Sequence, residues 1–287
     1  MTTATNDARW VAARAGLLRG WLETKQSLRE PGDVLWYFLM PVIFAIVLLF
    51  MRGSTVPGTD FELGAMVLPS IVGMSIAFGG LTGPAGTIAT DREDGTLLRA
   101  KATPNGMIGY LVGKVVMFGA TTLISIVLLI IPGVTVAGDL RLDARTWVLL
   151  VLIYVLGLVS TVPIGVALGS LFKSASQTGL LLLGSMALMI PSGIFYPITA
   201  LPTWLQWVGQ VFPYYWLGLG ARSAMLPQEM AAVEIGESWR TLEMFGVLGA
   251  WTVVGFIIAP IVLRRMARRA SGAAVAEARD RVMAQGW

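Results

Sequence analysis

The sequence contains no cysteine and no histidine. Without cysteine the chain can form no disulfide and supports no thiol catalysis, and without either residue type it cannot form a Cys/His zinc site. The absence of histidine also excludes a Ser-His-Asp catalytic triad. Charged residues are scarce as well, since they make up 13% of the chain, whereas soluble domains carry about 25%. These absences exclude several kinds of enzyme and argue against a soluble protein.

Apolar residues dominate the chain instead. They make up 55% of it, and the mean hydropathy is +0.73, a composition that predicts a polytopic membrane protein. The net charge of +4 is better explained by membrane topology than by nucleic-acid binding, because the basic residues are spread over loops. We therefore expect no nucleic-acid partner. Residues 1–33 show no secretory signal, so the first span is expected to act as the insertion signal.

Six apolar runs are candidates for crossing a hydrocarbon core of about 30 Å. They occupy 34–51, 63–81, 107–131, 147–171, 179–194 and 242–263. We predict an all-α polytopic membrane protein with a single transmembrane domain over 1–287. It divides into an N-terminal helix in 1–33, six transmembrane helices in 34–264 and a cytoplasmic tail in 265–287. The glycine- and proline-rich stretch 79–86 predicts a kink or a short re-entrant turn after the second span.

Residues 6–30 are predicted to form an amphipathic helix, because apolar residues recur at helical spacing. Pro31 and Gly32 end the pattern. A basic helix with tryptophans on one face suits the plane of the lipid headgroups. The alternative is a solvated helix that is docked on protein. The candidate membrane-surface residues are Trp10, Leu17, Trp21 and Leu28.

The stretch 192–226 is too interrupted by proline to form one span and too apolar to be a free loop. Its tryptophans and tyrosines favour the depth of the membrane interface. We predict two short helices, over 202–211 and 214–225, that lie at this interface or dip into it. The candidate residues of this re-entrant segment are Phe195, Tyr196, Pro197, Pro202, Trp204 and Pro213.

The densest charged patch in the first half of the chain is 91–104, between the second and third spans. Its charges cannot lie in hydrocarbon, where each costs several kcal/mol, so the segment is expected in water at the membrane surface. Residues 96–102 are predicted to form a short helix between Gly95 and Pro104, with acidic residues before its start, where the helix dipole favours them. By itself this pattern suits a docking site for another protein or an ordinary solvated loop.

Lysine and arginine predict the orientation, because they concentrate in the cytoplasmic loops of membrane proteins. Six spans put both termini on one side, and most of the 21 basic residues then fall on that side. We therefore expect both termini and the loop 91–104 in the cytoplasm, and the aromatic segment outside.

Other patterns carry little chemistry. Residues 109–115 superficially resemble a phosphate-binding loop, but they have one residue too few between the glycines and no Ser or Thr after Lys114. Lys114 is instead expected to extend toward the cytoplasmic headgroups. No acidic residue lies in the interior of a span, since Glu62 and Glu243 are at span edges, and this argues against ion-driven transport. We predict no catalytic residue, no metal site and no enzyme activity. Glycines four residues apart at 79/83, 109/113 and 165/169 predict close helix packing.

Two motifs carry a resemblance to a known family. The pattern Arg92-Glu93-x-Gly95-Thr96-Leu97-Leu98, followed by Pro104, resembles the cytoplasmic loop of ABC-2 type permeases. These are the membrane subunits of bacterial ABC exporters, including the daunorubicin-resistance type. The segments 192–197 and 201–205 with Pro213 are similar to that family's sequence between the fifth and sixth spans. The amphipathic N-terminal helix and the six-span layout agree with the same family.

The resemblance implies partners and a location. Such a permease lies in the bacterial plasma (inner) membrane and pairs with a second copy of itself. It also pairs with two copies of a separate ATP-binding cassette subunit, which binds ATP and Mg, so this chain is expected to bind no cofactor. The N-terminal helix would connect to the ATPase at the membrane surface, and the aromatic segment would cap the exit path. The ATPase-coupling loop would comprise Asp91, Arg92, Glu93, Asp94, Gly95, Thr96, Leu97 and Arg99.

The apolar spans predict a hydrophobic or amphipathic cargo, such as a drug, an antibiotic or a lipid-like compound. The alternatives are a lipid or polysaccharide exporter of the same family, an ion-coupled carrier and a non-transporting membrane scaffold. Four residues could face a central path, although such residues more often pack against other helices or contact membrane lipid. They are Met74, Phe78, Met186 and Met189.

Overall fold

The computed structural model of the protein describes residues 2–56, 61–93, 95–103, 105–137, 140–172 and 178–269. The predictions for Asp94, Pro104 and the tail beyond residue 269 lie outside these ranges. Apart from an isolated antiparallel bridge between Thr55 and Glu62, the described residues form helices and the turns between them. The prediction of an all-α protein is confirmed.

Ten α-helices follow one another along the described chain. Five of them, α2, α3, α5, α6 and α10, are long and apolar enough to cross a membrane. Short 3₁₀ turns lie at Ile190–Ser192, Ile198–Ala200, Gln228–Val233 and Ile235–Glu237. The α-helices are α1 Thr2–Ser27, α2 Pro31–Met51, α3 Leu63–Glu93, α4 Thr96–Ala102, α5 Gly106–Val136, α6 Ala144–Gly169, α7 Thr178–Met189, α8 Thr203–Val211, α9 Pro213–Met225 and α10 Thr241–Arg269.

The long helices form a bundle with two different ends. We call the end that holds α1 and α4 the α4 end, and the end that holds α8 and α9 the hairpin end. Helices α3 and α6 run parallel from the hairpin end to the α4 end, and α5 runs back beside α3. Close contacts at the predicted glycine positions join these helices. A β-carbon on Gly79 would lie 2.5 Å from Thr122 Oγ1 on α5, and one on Gly165 would lie 2.6 Å from the Gly80 carbonyl oxygen on α3. Small residues therefore let the backbones approach closely, as predicted.

The re-entrant turn predicted as one possibility after the second span is wrong, because α3 continues without interruption from Leu63 to Glu93; a kink stays a prediction. Pro84 lies inside it, where its missing N–H leaves the Gly80 carbonyl without its usual helical partner. In a packed bundle, neighbouring helices and Ser/Thr side chains satisfy the backbone groups that proline leaves free. Gly79, Gly80 and Gly83 are packing positions, because a β-carbon on each would lie within 2.5 Å of a side chain of α5 or α6.

The fifth predicted span is shorter than expected. Its described part is the 12-residue helix α7 and the 3₁₀ turn Ile190–Ser192. Pro191 lies in that turn, and Gly193 after it has a φ of +62°, a left-handed conformation that ends a helix readily. Residues 173–177, before α7, lie outside the described ranges. The six predicted spans therefore correspond to five long helices and one shorter apolar helix.

The two short helices predicted in the aromatic segment are present as α8 and α9, which form a helical hairpin (203–225) joined at Phe212. Trp251, well inside α10, donates from Nε1 to the Val211 carbonyl at 2.9 Å and stacks on Phe212. At the other end of α9, the Ala224 carbonyl accepts a 2.9 Å hydrogen bond from Thr146 Oγ1 near the start of α6. The turn between α8 and α9 therefore points into the bundle.

Helix α9 is buried along nearly its whole length between α3 and α6. A β-carbon on Gly73 of α3 would collide with the Leu217 backbone, and one on Gly157 of α6 would lie 2.7 Å from the Leu217 side chain. The hairpin is thus part of the core. Its depth relative to the membrane stays a prediction.

Candidate functional site

The short helix α4 occupies the residues predicted for it, and the local sequence explains why. Gly95 precedes it with a φ of +75°, which costs glycine little. Leu97 and Ala100 are buried beneath the helix. Thr103 Oγ1 donates to the Ala100 carbonyl at 2.9 Å and closes the last turn. A β-carbon on Gly106 would collide with the same carbonyl, so α4 and the start of α5 meet where no side chain intervenes.

The other predicted residues of the loop 91–104 have varied surroundings. Arg92 Nη1 donates to the Phe172 carbonyl at 3.3 Å and so connects the end of α3 to the end of α6. Arg99 is exposed and donates from Nη2 to Thr96 Oγ1 at 3.0 Å. Glu93 ends α3, but its side chain lies outside the described part of the structure. The described part of the segment is therefore anchored to the bundle and is not a free loop.

Helix α1 docks on α5 through a stripe of small residues that the sequence analysis missed. A β-carbon on Gly20 would lie 2.5 Å from the Gly113 carbonyl oxygen, and one on Gly109 would lie 2.7 Å from the Ala12 carbonyl oxygen. A β-carbon on Gly16 would collide with the Gly109 backbone. The signal was present in the sequence as small residues at every fourth position of α1: Ala12, Gly16, Gly20 and Thr24.

The apolar residues predicted to contact the membrane surface point away from this contact. All four of them are exposed in the structure: Trp10, Leu17, Trp21 and Leu28. The helix is therefore docked on protein, as the alternative interpretation had it, and it still presents an apolar face outward. Contact of that face with headgroups stays a prediction.

Five side chains from α1, α3 and α5 meet beside α4, and we call them the charge cluster: Arg19, Glu23, Asp91, Tyr110 and Lys114. Lys114 Nζ lies 2.7 Å from Asp91 Oδ2 and 3.3 Å from Glu23 Oε2. Tyr110 donates to Asp91 Oδ2 at 2.6 Å. Arg19 Nε lies 2.6 Å from Glu23 Oε1, and its guanidinium carbon lies 5.3 Å from the centre of the Tyr110 ring.

The position of Lys114 corrects a prediction. Its side chain is 3% exposed, so it does not extend toward the headgroups. Two carboxylates lie within ion-pair distance of it, and a buried ammonium needs such partners because desolvation disfavours its charge. Sequence reasoning missed the cluster, because its members come from three helices that are distant along the chain.

A cavity of about 550 Å³ lies between α1, α4 and α5, next to the charge cluster. Its wall is mostly apolar, with Arg19 on one side and Arg99 on the other. The α4 end thus combines an anchored surface helix, an open groove and a network of charges. Such a surface can bind a partner and pass a displacement to the long helices, but it holds no arrangement of groups for covalent catalysis. Among the residues that the structure describes, no three His, Cys, Asp or Glu residues form a metal site.

The residues proposed for a central path do not share one environment. Met74 is buried in the core, and Met186 is exposed on α7. Phe78 and Met189 are partly buried and pack against the core. The cavity between α1, α4 and α5 and a smaller one between α6 and α10 are lined by other residues. A path along these residues stays a prediction.

The predicted residues of the aromatic segment divide between surface and core. Trp204 and Pro202 are exposed, and Pro197 and Pro213 are buried. Phe195 and Tyr196 are half-buried, and Tyr196 donates to the Ile190 carbonyl. These positions show how the segment packs; a role in an exit path stays a prediction.

A buried ion pair joins the hairpin to the bundle, and the sequence analysis did not single it out. Arg222 Nε lies 2.7 Å from Glu234 Oε1, and both side chains are 0% exposed. Arg222 Nη1 also donates to Ser70 Oγ at 2.8 Å and to the Gly193 carbonyl at 3.3 Å. The arginine thus connects α9 with α3, the turn after α7 and the segment after the hairpin.

Together these features define a class of protein: an all-α polytopic membrane protein with an anchored surface helix at one end and a buried helical hairpin at the other. The sequence model of the ABC-2 family transporter proteins matches residues 55–261, which is more than half of the chain. The chain belongs to this family.

The chain is also similar to a Bacillus subtilis (strain 168) protein named "Putative transport permease YvfS". The two are 25% identical over 203 residues, which are 69% of this chain and 80% of the relative. Membership of the family makes this chain the membrane subunit of a transporter and not an enzyme. It also implies pairing with a separate ATP-binding subunit.

Proposed function

We propose that this permease exports a hydrophobic or amphipathic compound, such as a drug, an antibiotic or a lipid-like molecule. The five long helices support this cargo, because each contains an apolar stretch with at most two charged residues. Such walls favour an apolar molecule over a sugar chain. Export of a lipid or a polysaccharide by a permease of the same family is the alternative.

The observation that carries the proposal is the anchoring of α4 to two long helices. Leu97 and Ala100 fix it from below, and Arg99 and Lys101 stand on its exposed side. A surface helix held in this way can pass a push from a partner to α3 and α5. We therefore assign it the role of contacting the ATP-binding subunit.

On this proposal, two copies of the ATP-binding subunit bind ATP and Mg, and a second copy of the permease completes the transporter. Closure of the ATP-binding subunits pushes on residues 91–103, which tilts α3 and α5 and opens the path outward. Energy can be coupled in this way only if the α4 end interacts differently with the two states of its partner.

The proposal also gives an orientation: the α4 end and both termini lie in the cytoplasm, and the hairpin end lies outside the inner membrane. Because the chain has no cysteine, single introduced cysteines report on it directly. Ala200→Cys at the hairpin end is expected to react with a membrane-impermeant maleimide in intact cells. Ala102→Cys on α4 is expected to react only after permeabilisation. The reverse pattern would contradict the orientation.

The role of α4 is tested with the permease and its ATP-binding subunit reconstituted together in proteoliposomes. Arg99→Glu reverses an exposed charge on α4 and is expected to reduce both substrate-stimulated ATP hydrolysis and export. Arg145→Glu reverses an exposed charge at the hairpin end and serves as the matched control, with both activities retained. Equal activities in the two variants would count against a docking role for α4.

The cargo and the energy source need separate measurements. Efflux of a panel of labelled hydrophobic compounds from these proteoliposomes tests the cargo, and lipid and polysaccharide substrates test the alternative. Efflux that requires ATP and persists with an uncoupler is expected. Efflux that stops with the uncoupler while ATP is held constant would instead indicate an ion-coupled carrier.

A further inference from the structure

We propose that Lys114 is a positioning residue that joins α1 to the loop before α4, so that both move together when the ATP-binding subunit acts. The effect of this connection on export rests on the proposed function. The connection itself can be tested without assuming that function. It starts from the cavity of about 550 Å³ between α1, α4 and α5. Across that space, α1 and α4 need a connection if they are to move as one body.

Lys114 supplies this connection because it is shared by two carboxylates on different helices. Glu23 belongs to α1, and Asp91 lies in the last turn of α3, shortly before α4. The ammonium of Lys114 is within 3.3 Å of the first and 2.7 Å of the second. An ammonium group has three donors and can serve both acceptors at once.

Each carboxylate also has a second partner, but these two partners are joined to each other by no ion pair; their contact is the Arg19 guanidinium 5.3 Å from the centre of the Tyr110 ring. Glu23 is paired with Arg19 on its own helix, and Asp91 accepts from Tyr110 on α5. Loss of Lys114 therefore leaves each carboxylate with one partner. The expected consequence is separation of α1 from the loop, and not unfolding of the bundle.

The position of the cluster gives the bridge a mechanical role. The loop 91–103 is the proposed contact of the ATP-binding subunit, and α1 carries the exposed apolar face that suits the membrane surface. With the bridge in place, a push on α4 also displaces α1. Without it, α4 moves while α1 stays on α5. Part of the free energy of ATP binding is then not used to move α1.

The structural part is tested by the distance between α1 and α4. Two cysteines, Leu18→Cys and Ala102→Cys, at exposed positions, carry spin labels in the full-length permease, which has no native cysteine. We expect a narrow distance distribution with Lys114 and with Lys114→Arg, which keeps the charge and the donors. We expect a broad distribution with Lys114→Met. A distribution for Lys114→Met as narrow as that of the parent would overturn the proposal.

Two further variants keep this test decisive. Glu23→Gln removes the α1 side of the bridge while Lys114 keeps Asp91, so it is expected to broaden the distribution even if Lys114→Met fails to fold. Arg19→Met removes a cation from the same cluster but leaves the bridge, so its distribution is expected to stay narrow. Broadening by Arg19→Met as large as that by Glu23→Gln would mean that general loss of charge, and not the bridge, is responsible.

The functional part is tested by the amount of substrate exported per ATP hydrolysed in proteoliposomes. Lys114→Met is expected to lower this ratio about fivefold or more, with basal ATP hydrolysis retained, and Lys114→Arg is expected to restore it. An unchanged ratio would overturn the inference while leaving the proposed function intact. Absence of ATP-driven export by the unmodified complex would instead overturn the proposed function, and the distance measurement would still decide the structural claim.

Discussion

The two ends of the bundle both hold charged side chains away from water, but they do so differently. At the hairpin end, Arg222 and Glu234 form one pair with both side chains 0% exposed. At the α4 end, the charge cluster contains two cations and two anions from three helices. The side chains of Lys114, Asp91 and Glu23 are 3%, 13% and 21% exposed.

This difference in burial indicates which end of the bundle can rearrange. A fully buried pair has no other charged partner and no water to replace a lost one, so breaking it leaves an uncompensated charge. In the cluster, each carboxylate has two partners and some contact with solvent, so a lost ion pair is partly compensated. The hairpin end is therefore fixed by its electrostatics, and the α4 end can exchange contacts at a lower cost.

The largest expected effect is at the hairpin end. Arg222→Met leaves Glu234 buried without its partner and is expected to destabilise the fold by about 3–5 kcal/mol. The double variant Arg222→Met, Glu234→Leu removes both charges and is expected to regain most of that loss. Ser70 keeps a partner in either case, because its hydroxyl donates to the Met66 carbonyl. Denaturant unfolding in detergent micelles measures both variants.

The comparison of ends would fail if the single variant were no less stable than the double variant, or if Lys114→Met at the α4 end were as destabilising as Arg222→Met. Either result would mean that the burial of Arg222 and Glu234 does not determine how much their ion pair contributes to the stability of the fold.

An intermediate effect is expected where α1 packs on α5. Gly16→Ala places a methyl group against the Gly109 backbone, which cannot move aside like a side chain, and overpacking of this kind costs about 1–3 kcal/mol. Gly86→Ala is the matched control, because a β-carbon there meets nothing within 4 Å. Faster proteolysis of α1 in Gly16→Ala, with Gly86→Ala unchanged, is the expected result. Equal proteolysis of the two variants would show that the close approach does not hold α1 in place.

The smallest effect is expected at an exposed cap of the hairpin end. The pKa of Asp143 lies below its ordinary value because the Thr146 backbone N–H donates to its carboxylate, as does the Thr146 hydroxyl. A carboxylate of this kind caps the start of α6. Since folding lowers this pKa, the stabilisation is complete above the unfolded-state pKa and is lost as pH falls through the folded-state value.

Asp143→Ala is therefore expected to lower Tm slightly near neutral pH and to have no effect once the carboxyl is protonated. Asp143→Ser retains an acceptor and is the control that should keep most of the stability at both pH values. A loss of Tm in Asp143→Ala that persists at acid pH would show that the cap does not depend on the charge.

Local sequence signals predicted the short elements well. Gly95 marked the start of α4, and Pro202 and Pro213 marked the starts of α8 and α9. Proline fixes its own φ, and glycine adopts a left-handed conformation at little cost, regardless of what surrounds them. The same signals did not end the helix inside α3, where Pro84 and the four glycines of 79–86 lie within one unbroken helix. There the packing of α5 and α6 decided the outcome, and the sequence of one segment contains no information about its neighbours.

Composition and periodicity by themselves determined that this protein is helical and spans a membrane, because 13% charged residues and long apolar runs allow no soluble core. They also predict which segments remain in water. The partners of Lys114, the pairing of Arg222 with Glu234 and the docking of α1 on α5 were decided only by the tertiary structure. Electrostatic and steric contacts depend on distances of a few ångströms between residues far apart in the chain, and only the packed bundle sets those distances.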